Sequence, residues 1–260
     1  AELCTACRIA DRPGWHARAA REAIERHPDS VMVLTEAAMA HGQADAVEEC
    51  LRLCDQALDR DPQFHLAQQV RAAAIEILEG AMAAVAAYRK ALESLPQCIV
   101  CRVHLGRTLL AARERERARE AMEHALKLDP RSVFVHTQLG NLLRDLGEHD
   151  RAEEELQAAL RLDERDALAH LVYGCFLAEV HDDLQAARSH FERARQLAPT
   201  RMAAPLHLGR ILERAGQLEG AQQAFEDAIR IAPTAFECRD GLWHVLRARG
   251  LHEEERAREM

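Results

Sequence analysis

Residues 105–130 read LGRTLLAARERERAREAMEHALKLDP, and the same sentence is written twice more, as LGNLLRDLGEHDRAEEELQAALRLDE over 139–164 and LGRILERAGQLEGAQQAFEDAIRIAP over 208–233. Each copy opens on Leu-Gly, carries alanines in its second half and closes on an acidic or proline-containing turn. Apolar residues such as Leu105, Leu109 and Leu110, or Leu156, Ala159 and Leu160, fall at helical spacing, and no stretch alternates as a half-buried strand would. The expected fold class is all-α.

The prolines extend this register over the chain. Pro28, Pro62, Pro96 and Pro130 follow one another at 34 residues, as do Pro199 and Pro233, and Glu164 stands where a proline is missing between Pro130 and Pro199. The glycines of Leu105-Gly106, Leu139-Gly140, Tyr173-Gly174 and Leu208-Gly209 are spaced at 34, 34 and 35. Both series put one extra residue between Gly174 and Pro199, most economically in the turn His181-Asp182-Asp183. Repetition at this period specifies an array of supersecondary units in place of one closed core.

These residues resemble the tetratricopeptide repeat, whose signature runs W-x2-L-G-x2-Y, A-x3-F, A and P. The matching positions are Leu105, Gly106, Leu109, Ala118, Met122, Ala125 and Pro130 in one unit, and Leu208, Gly209, Leu212, Ala221, Phe225, Ala228 and Pro233 in another. Leu139, Gly140, Ala152, Leu156 and Ala159, and Tyr173, Gly174, Ala187, Phe191 and Ala194, match in the units between. The resemblance covers essentially the whole chain. It implies a right-handed superhelical solenoid, a single array over residues 1–260 whose repeats end near 28, 62, 96, 130, 164, 199 and 233, with a partial unit or cap over 234–260.

The pattern has a physical logic. Small residues at the eighth and twentieth places let two helices approach, larger apolar residues fill the space beside them, and proline stops the second helix. Arg71 and the pair Ala37-Ala38 depart from it, so local register is less certain there. Run backwards, the register puts the first four positions of the first helix before Ala1; run forwards, Leu242, Trp243, Leu246 and Gly250 begin a unit with Glu255 and Glu259 at core places, which suits a solvent-facing cap. With no initiating Met or leader, and a helix in progress at the end, the expectation is a segment excised from a longer chain, with covalently linked domains outside it as one option and a secreted protein whose leader has been removed as the alternative.

Composition narrows function. Across 260 residues, 34 basic and 43 acidic side chains leave a net charge of −9, with 48% apolar and 4% aromatic residues. That balance is globular and not disordered, and the best apolar run, 81–88, soon meets Arg89 and Lys90, so no membrane insertion is expected. Few aromatics and an acidic balance argue against nucleic acid. Phosphate loops, dinucleotide fingerprints, His-Glu-x-x-His and Gly-x-Ser-x-Gly are absent, so the expectation is a non-catalytic scaffold with no cofactor and no metal.

At about 100° per residue, places 2, 5, 9 and 12–13 of each first helix lie on a side away from the core-facing places. The resemblance implies that this side holds peptide. It carries Val100, Val103, Arg107 and Leu110; Phe134, Thr137, Asn141 and Arg144; Leu168, Leu171, Cys175 and Ala178; and Ala203, Leu206, Arg210, Glu213 and Arg214. His104, Gln138 and His207 flank them at the sixth place, while acidic residues gather on second helices and turns, as in Glu48-Glu49, Glu153-Glu154-Glu155 and Asp182-Asp183. The candidate groove is therefore Val103, His104, Arg107, Phe134, Gln138, Asn141, Arg144, Leu171, Cys175, His207, Arg210 and Arg214, suited to a protein or peptide with acidic or carboxylate groups. The carboxylate clamp known in the family is only partly matched, by Asn141 with arginines. Alternatives are an RNA-binding superhelix and a regulatory arm of a larger enzyme.

Two C-x-x-C pairs, Cys4-Cys7 and Cys98-Cys101, lie nearly three repeats apart, too far to share one zinc. Cys98 and Cys101 open a helix just after Pro96, with His104 one turn on; two small apolar side chains are the preferred reading and a redox or metal role the alternative. Cys4, Cys7, His16, His41, Cys50 and Cys54 fall at core places of two adjacent units, where they are either small core residues or a zinc staple. Cysteines scattered at packing places favour a reducing compartment, and the expected location is cytoplasmic. The fourteen histidines show no legible pairing with a carboxylate and a nucleophile.

Overall fold

Two helices can approach closely where one of them carries a small side chain or none, and the recurring glycines serve that purpose. A methyl group at Gly140 would lie 2.6 Å from Leu156 Cγ and 3.1 Å from the Ala152 carbonyl oxygen, and one at Gly209 would lie 2.8 Å from the Phe225 ring. Gly106 meets Met122 and Gly174 meets Phe191 in the same way. The bulky side chain of the second helix thus sits directly on the backbone of the first.

The computed structural model describes residues 21–43 and 46–250. Its helices pair as α1 (Val31–Gln43) with α2 (Val47–Arg60), α3 (His65–Glu79) with α4 (Ala81–Ser94), and α5 (Ile99–Ala111) with α6 (Arg115–Leu128). Then come α7 (Val133–Leu146) with α8 (His149–Leu162), α9 (Ala167–Val180) with α10 (Leu184–Leu197), α11 (Ala203–Arg214) with α12 (Leu218–Ile231), and finally α13 (Phe236–Ala248). No strand occurs among the described residues. The helices form two compact units, one ending at Pro130 and one beginning at Arg131.

In each unit the second helices bury one narrow stripe. It comprises Cys50, Cys54 and Ala57 on α2, Ala84, Tyr88 and Ala91 on α4, and Ala118, Met122 and Ala125 on α6. In the second unit it is Ala152, Leu156 and Ala159, then Ala187, Phe191 and Ala194, then Ala221, Phe225 and Ala228. The register holds where the sequence departs from the pattern. Ala38 and Ala72 are buried at the glycine place, and Arg71 leaves the core to meet the Asp55 carboxylate at 2.6 Å.

The turns repeat as faithfully as the packing. Each of α2, α4, α6, α8, α10 and α12 ends on a residue whose N–H returns to an alanine carbonyl four residues back, as Asp129 does to Ala125. Proline after it favours that extended conformation. Asp163 adopts the same geometry, φ −148 and ψ 101, ahead of Glu164, so the hydrogen bond suffices without proline. The extra residue lies in the expected place: three residues, His181 to Asp183, join α9 to α10, with Asp182 left-handed at φ 54, whereas Gly147 and Glu148 alone join α7 to α8.

Gly140→Ala tests the close approach by its sign. Helix propensity alone would stabilise the variant by roughly 1 kcal/mol, whereas overpacking against Leu156 is expected to destabilise it by about 1–3 kcal/mol. Denaturant titration of the two proteins decides between them.

Candidate functional site

In the second unit the first helices α7, α9, α11 and α13 touch in succession, so equivalent places form rows across one face. Phe134 is exposed on α7, with Gln138 and Asn141 half-buried beyond it. Leu171 on α9 is half-buried and packs onto the unit's apolar cluster.

The next places are drawn together. Cys175 Sγ lies 3.6 Å from His207 Nδ1, and the His207 ring stacks on Phe191 with centroids 5.5 Å apart. Burial, then Arg210 and Arg144 beside it, pushes the His207 imidazole down to about 4. Burial, then the Glu179 carboxylate, pushes the Cys175 thiol up to about 11 against the pull of the same two guanidiniums. Both groups are therefore neutral at pH 7. An activated cysteine needs a thiolate beside imidazolium, and here both shifts run the other way.

The arginines differ in what already holds them. Burial opposes the charge of Arg144, yet Asp145 at 2.8 Å and Glu179 at 3.5 Å more than compensate and raise its pKa. Arg214 donates to the Ala178 carbonyl at 3.2 Å and to Asp182 at 2.7 Å. Arg210 is exposed and has no carboxylate within ion-pair distance among the described residues. The expectation that acidic groups keep to second helices and turns needs correcting. Asp145 and Glu179 sit on first helices beside Arg144, because the ends of α7 and α9 bring the twelfth and thirteenth places of one helix against those of the next.

Two other expected groove residues also need correction. Cys175 is 9% exposed, and in the first unit Val103 is 0% exposed. The reason is that a first helix is packed on two sides: α5 contacts α4 as well as its partner α6, so Cys101, Val103, Leu105 and Leu109 are all buried. His104 is half-buried, with its ring 5.8 Å from Tyr88 and only 7° from parallel, and burial followed by the Arg107 charge lowers its pKa. Arg107 itself is exposed.

Sequence reasoning missed the histidine partners. His136 Nδ1 lies 2.6 Å from Glu155, His181 Nε2 3.1 Å from Glu153, and the rings of His170 and His190 meet at 2.9 Å. One signal was present. His104 and His207 each stand sixteen residues after an aromatic, Tyr88 and Phe191, and each stacks on it. Cys4, Cys7 and His16 lie outside the described residues. Among the described residues no three His, Cys, Asp or Glu side chains converge as a metal site, and no helix is long and apolar enough to cross a membrane.

Family profiles described as tetratricopeptide repeat match residues 101–132, 137–200 and 181–247, the same stretches that carry the glycine contacts. The chain belongs to the tetratricopeptide repeat family. Comparison with curated protein sequences returns no significant match. Solved tetratricopeptide-type structures share the fold at low identity. Yeast Tom70 matches with a TM-score of 0.70 at 15% identity over 93% of this chain and 53% of its own. A tetratricopeptide repeat protein from Parabacteroides merdae matches at 0.69 and 14% identity over 94% and 96%. A chain of the APC/C hetero-tetramer Cut9-Hcn1 matches at 0.65 and 16% identity over 89% and 48%. This tetratricopeptide chain thus spans about half the length of two of those three.

The half-buried His207 imidazole is expected to make the array acid-sensitive. A histidine whose folded pKa is depressed to about 4 from 6.5 contributes stability that is complete above the unfolded value and is lost as pH falls toward 4. His207→Gln is expected to flatten the stability profile between pH 6.5 and 4 by on the order of 2 kcal/mol, as read by denaturant midpoints across that range.

Proposed function

We propose that this tetratricopeptide array is a non-catalytic scaffold that holds a partner protein or peptide on the first-helix face of residues 131–250, with Arg210 receiving a carboxylate of the partner. The observation that carries this reading is the contrast among three arginines. Arg144 and Arg214 already grip carboxylates of their own chain, whereas Arg210 presents its guanidinium with none among the described residues. A fixed fork of donors left without an acceptor is suited to a carboxylate brought by a ligand. Phe134, exposed on the same row of helices, offers apolar surface for the rest of such a segment.

The family and its solved relatives support a binding role. The Cut9-Hcn1 hetero-tetramer is by its description a protein assembly. Neutral Cys175 and His207 leave that pair without the charges nucleophilic catalysis needs. The described cysteines are free thiols, in keeping with a reducing compartment such as the cytoplasm.

Peptide arrays probed with wild type and Arg210→Glu provide the test. Wild type is expected to retain acidic peptides and free C-terminal carboxylates over their amidated counterparts, and the variant to lose that preference at least tenfold. Equal retention by both proteins, with unchanged folding, overturns the role of Arg210. Retention of RNA with a steep dependence of log affinity on log salt would favour a nucleic-acid ligand instead.

A further inference from the structure

The first unit contains a pair of thiols that packing alone does not explain. Two residues past the proline place, the chain sets the residue that caps the next first helix. Ser132 and Asp166 accept there from the N–H groups of Val135 and Ala169, and Ser30 accepts from Val33. At α5 the capping residue is Cys98, whose sulfur accepts the Cys101 N–H at 3.3 Å. Three residues further on, other repeats bury Val33, Ala67, Val135 or Ala169, and the last buries Cys238 behind a cap place held by Ala235; only here, among the described residues, does a buried cysteine, Cys101 at 0% exposed, follow a cysteine at the cap.

Groups from outside α5 complete the arrangement. Gln69 on α3 donates its Nε2 to Cys98 Sγ at 3.8 Å, and Cys101 Sγ lies 2.8 Å from the same sulfur. Cys98 is half-buried and lines an open groove with His65, Gln69, Pro96 and Val100. One thiol is reachable and surrounded by donors, and the other lies directly behind it. The remaining described cysteines lack this combination: Cys50, Cys54, Cys175 and Cys238 are all buried.

We propose that Cys98 and Cys101 form a reversible redox dithiol, in which Cys98 attacks a low-molecular-weight disulfide of the glutathione type and Cys101 resolves the product. In the first step the Cys98 thiolate forms a bond to one sulfur of the disulfide, and the other sulfur leaves as a thiolate. In the second, Cys101 gives up its proton to solvent, its sulfur bonds to Cys98 Sγ, and the second small thiolate departs. The protein has lost two hydrogens and the small disulfide has gained them. Closing from 2.8 Å to a bond of about 2.05 Å needs a sulfur shift of less than 1 Å. The donors around Cys98 stabilise the attacking anion. The Cys101 thiol beside it contributes most, then the Cys101 N–H and Gln69, and together they outweigh burial and bring the Cys98 pKa down to about 6. Desolvation and the neighbouring sulfur hold the Cys101 thiol up, so it waits as the protonated partner until the mixed disulfide forms.

The 260-residue protein is incubated with glutathione disulfide at neutral pH, alkylated and digested with trypsin. Both cysteines fall in the peptide 91–102, ALESLPQCIVCR. The expected product is that peptide two hydrogens lighter and unalkylated, restored to two alkylated thiols by prior treatment with dithiothreitol. Cys101→Ala, which places here the residue found at Ala169, is expected to stop at Cys98 bound to one glutathione. Iodoacetamide labelling of Cys98 is expected to inflect near pH 6, and at that pH to run roughly tenfold faster than a free peptide thiol, the gain in thiolate outweighing its lower nucleophilicity. Two alkylated cysteines after glutathione disulfide treatment of wild type overturn the proposal. So does a stable glutathione adduct in wild type, or labelling that inflects near the ordinary cysteine value of about 8.5.

Discussion

The contact on which the rest of the protein depends is a side chain pressed onto a bare backbone. Where Leu156 meets Gly140 and Phe225 meets Gly209, the two helices of a pair come so close that a β-carbon at the glycine would have to push the facing side chain aside. That distance sets the angle and spacing of the pair, and hence where the following helix can dock. Because the contact recurs every 34 residues, or 35 across the His181–Asp183 turn, each unit is built by repeating one local solution in place of inventing a new core. Alanine serves at Ala38 and Ala72, so the requirement is smallness and not the conformational freedom of glycine.

The same repetition shapes the electrostatics. A helix in the first-helix row is flanked on two sides, which buries side chains that a single-face count would expose and lowers the local dielectric around whatever polar groups remain. In that setting His207 and Cys175 both stay neutral, and Arg144 keeps its charge only because Asp145 and Glu179 stand beside it. Arg210 escapes this constraint because its side chain is exposed. A net charge of −9 says nothing of this: carboxylates neutralise Arg144 and Arg214, while Arg210 has none beside it among the described residues.

Fold and turns were legible in the sequence because their determinants are local and periodic. A proline place, a small residue and a bulky residue at constant spacing survive the loss of any one of them, as Glu164 and Asp163 show. The extra residue could be placed in its turn from spacing alone. The candidate face was legible only in outline. Its places follow from helical geometry, but Val103 is buried by a neighbouring helix that no single-helix projection contains. The Arg144–Glu179 pair and the Cys175–His207 contact each join residues 35 and 32 apart, so they appear only when one repeat is laid against the next. Comparing equivalent places across repeats, not positions along one helix, is what would have found them.

The cap place two residues beyond the proline shows how an array of this kind can acquire chemistry without altering its fold. The place can supply an acceptor for a helix N–H, as Ser132, Asp166 and Cys98 do, although Phe64 and Ala235 hold it without one. Three residues later the fold needs a small or medium apolar side chain, which valine, alanine and a protonated thiol all provide. Cysteine at both places therefore satisfies both structural demands at once, the first in its charged form and the second in its neutral form. The asymmetry required of an attacking and a resolving thiol is thereby supplied by the capping geometry itself. Ser132 with Val135 and Asp166 with Ala169 meet the same demands without reactive sulfur, so packing and capping do not by themselves call for two cysteines at Cys98 and Cys101.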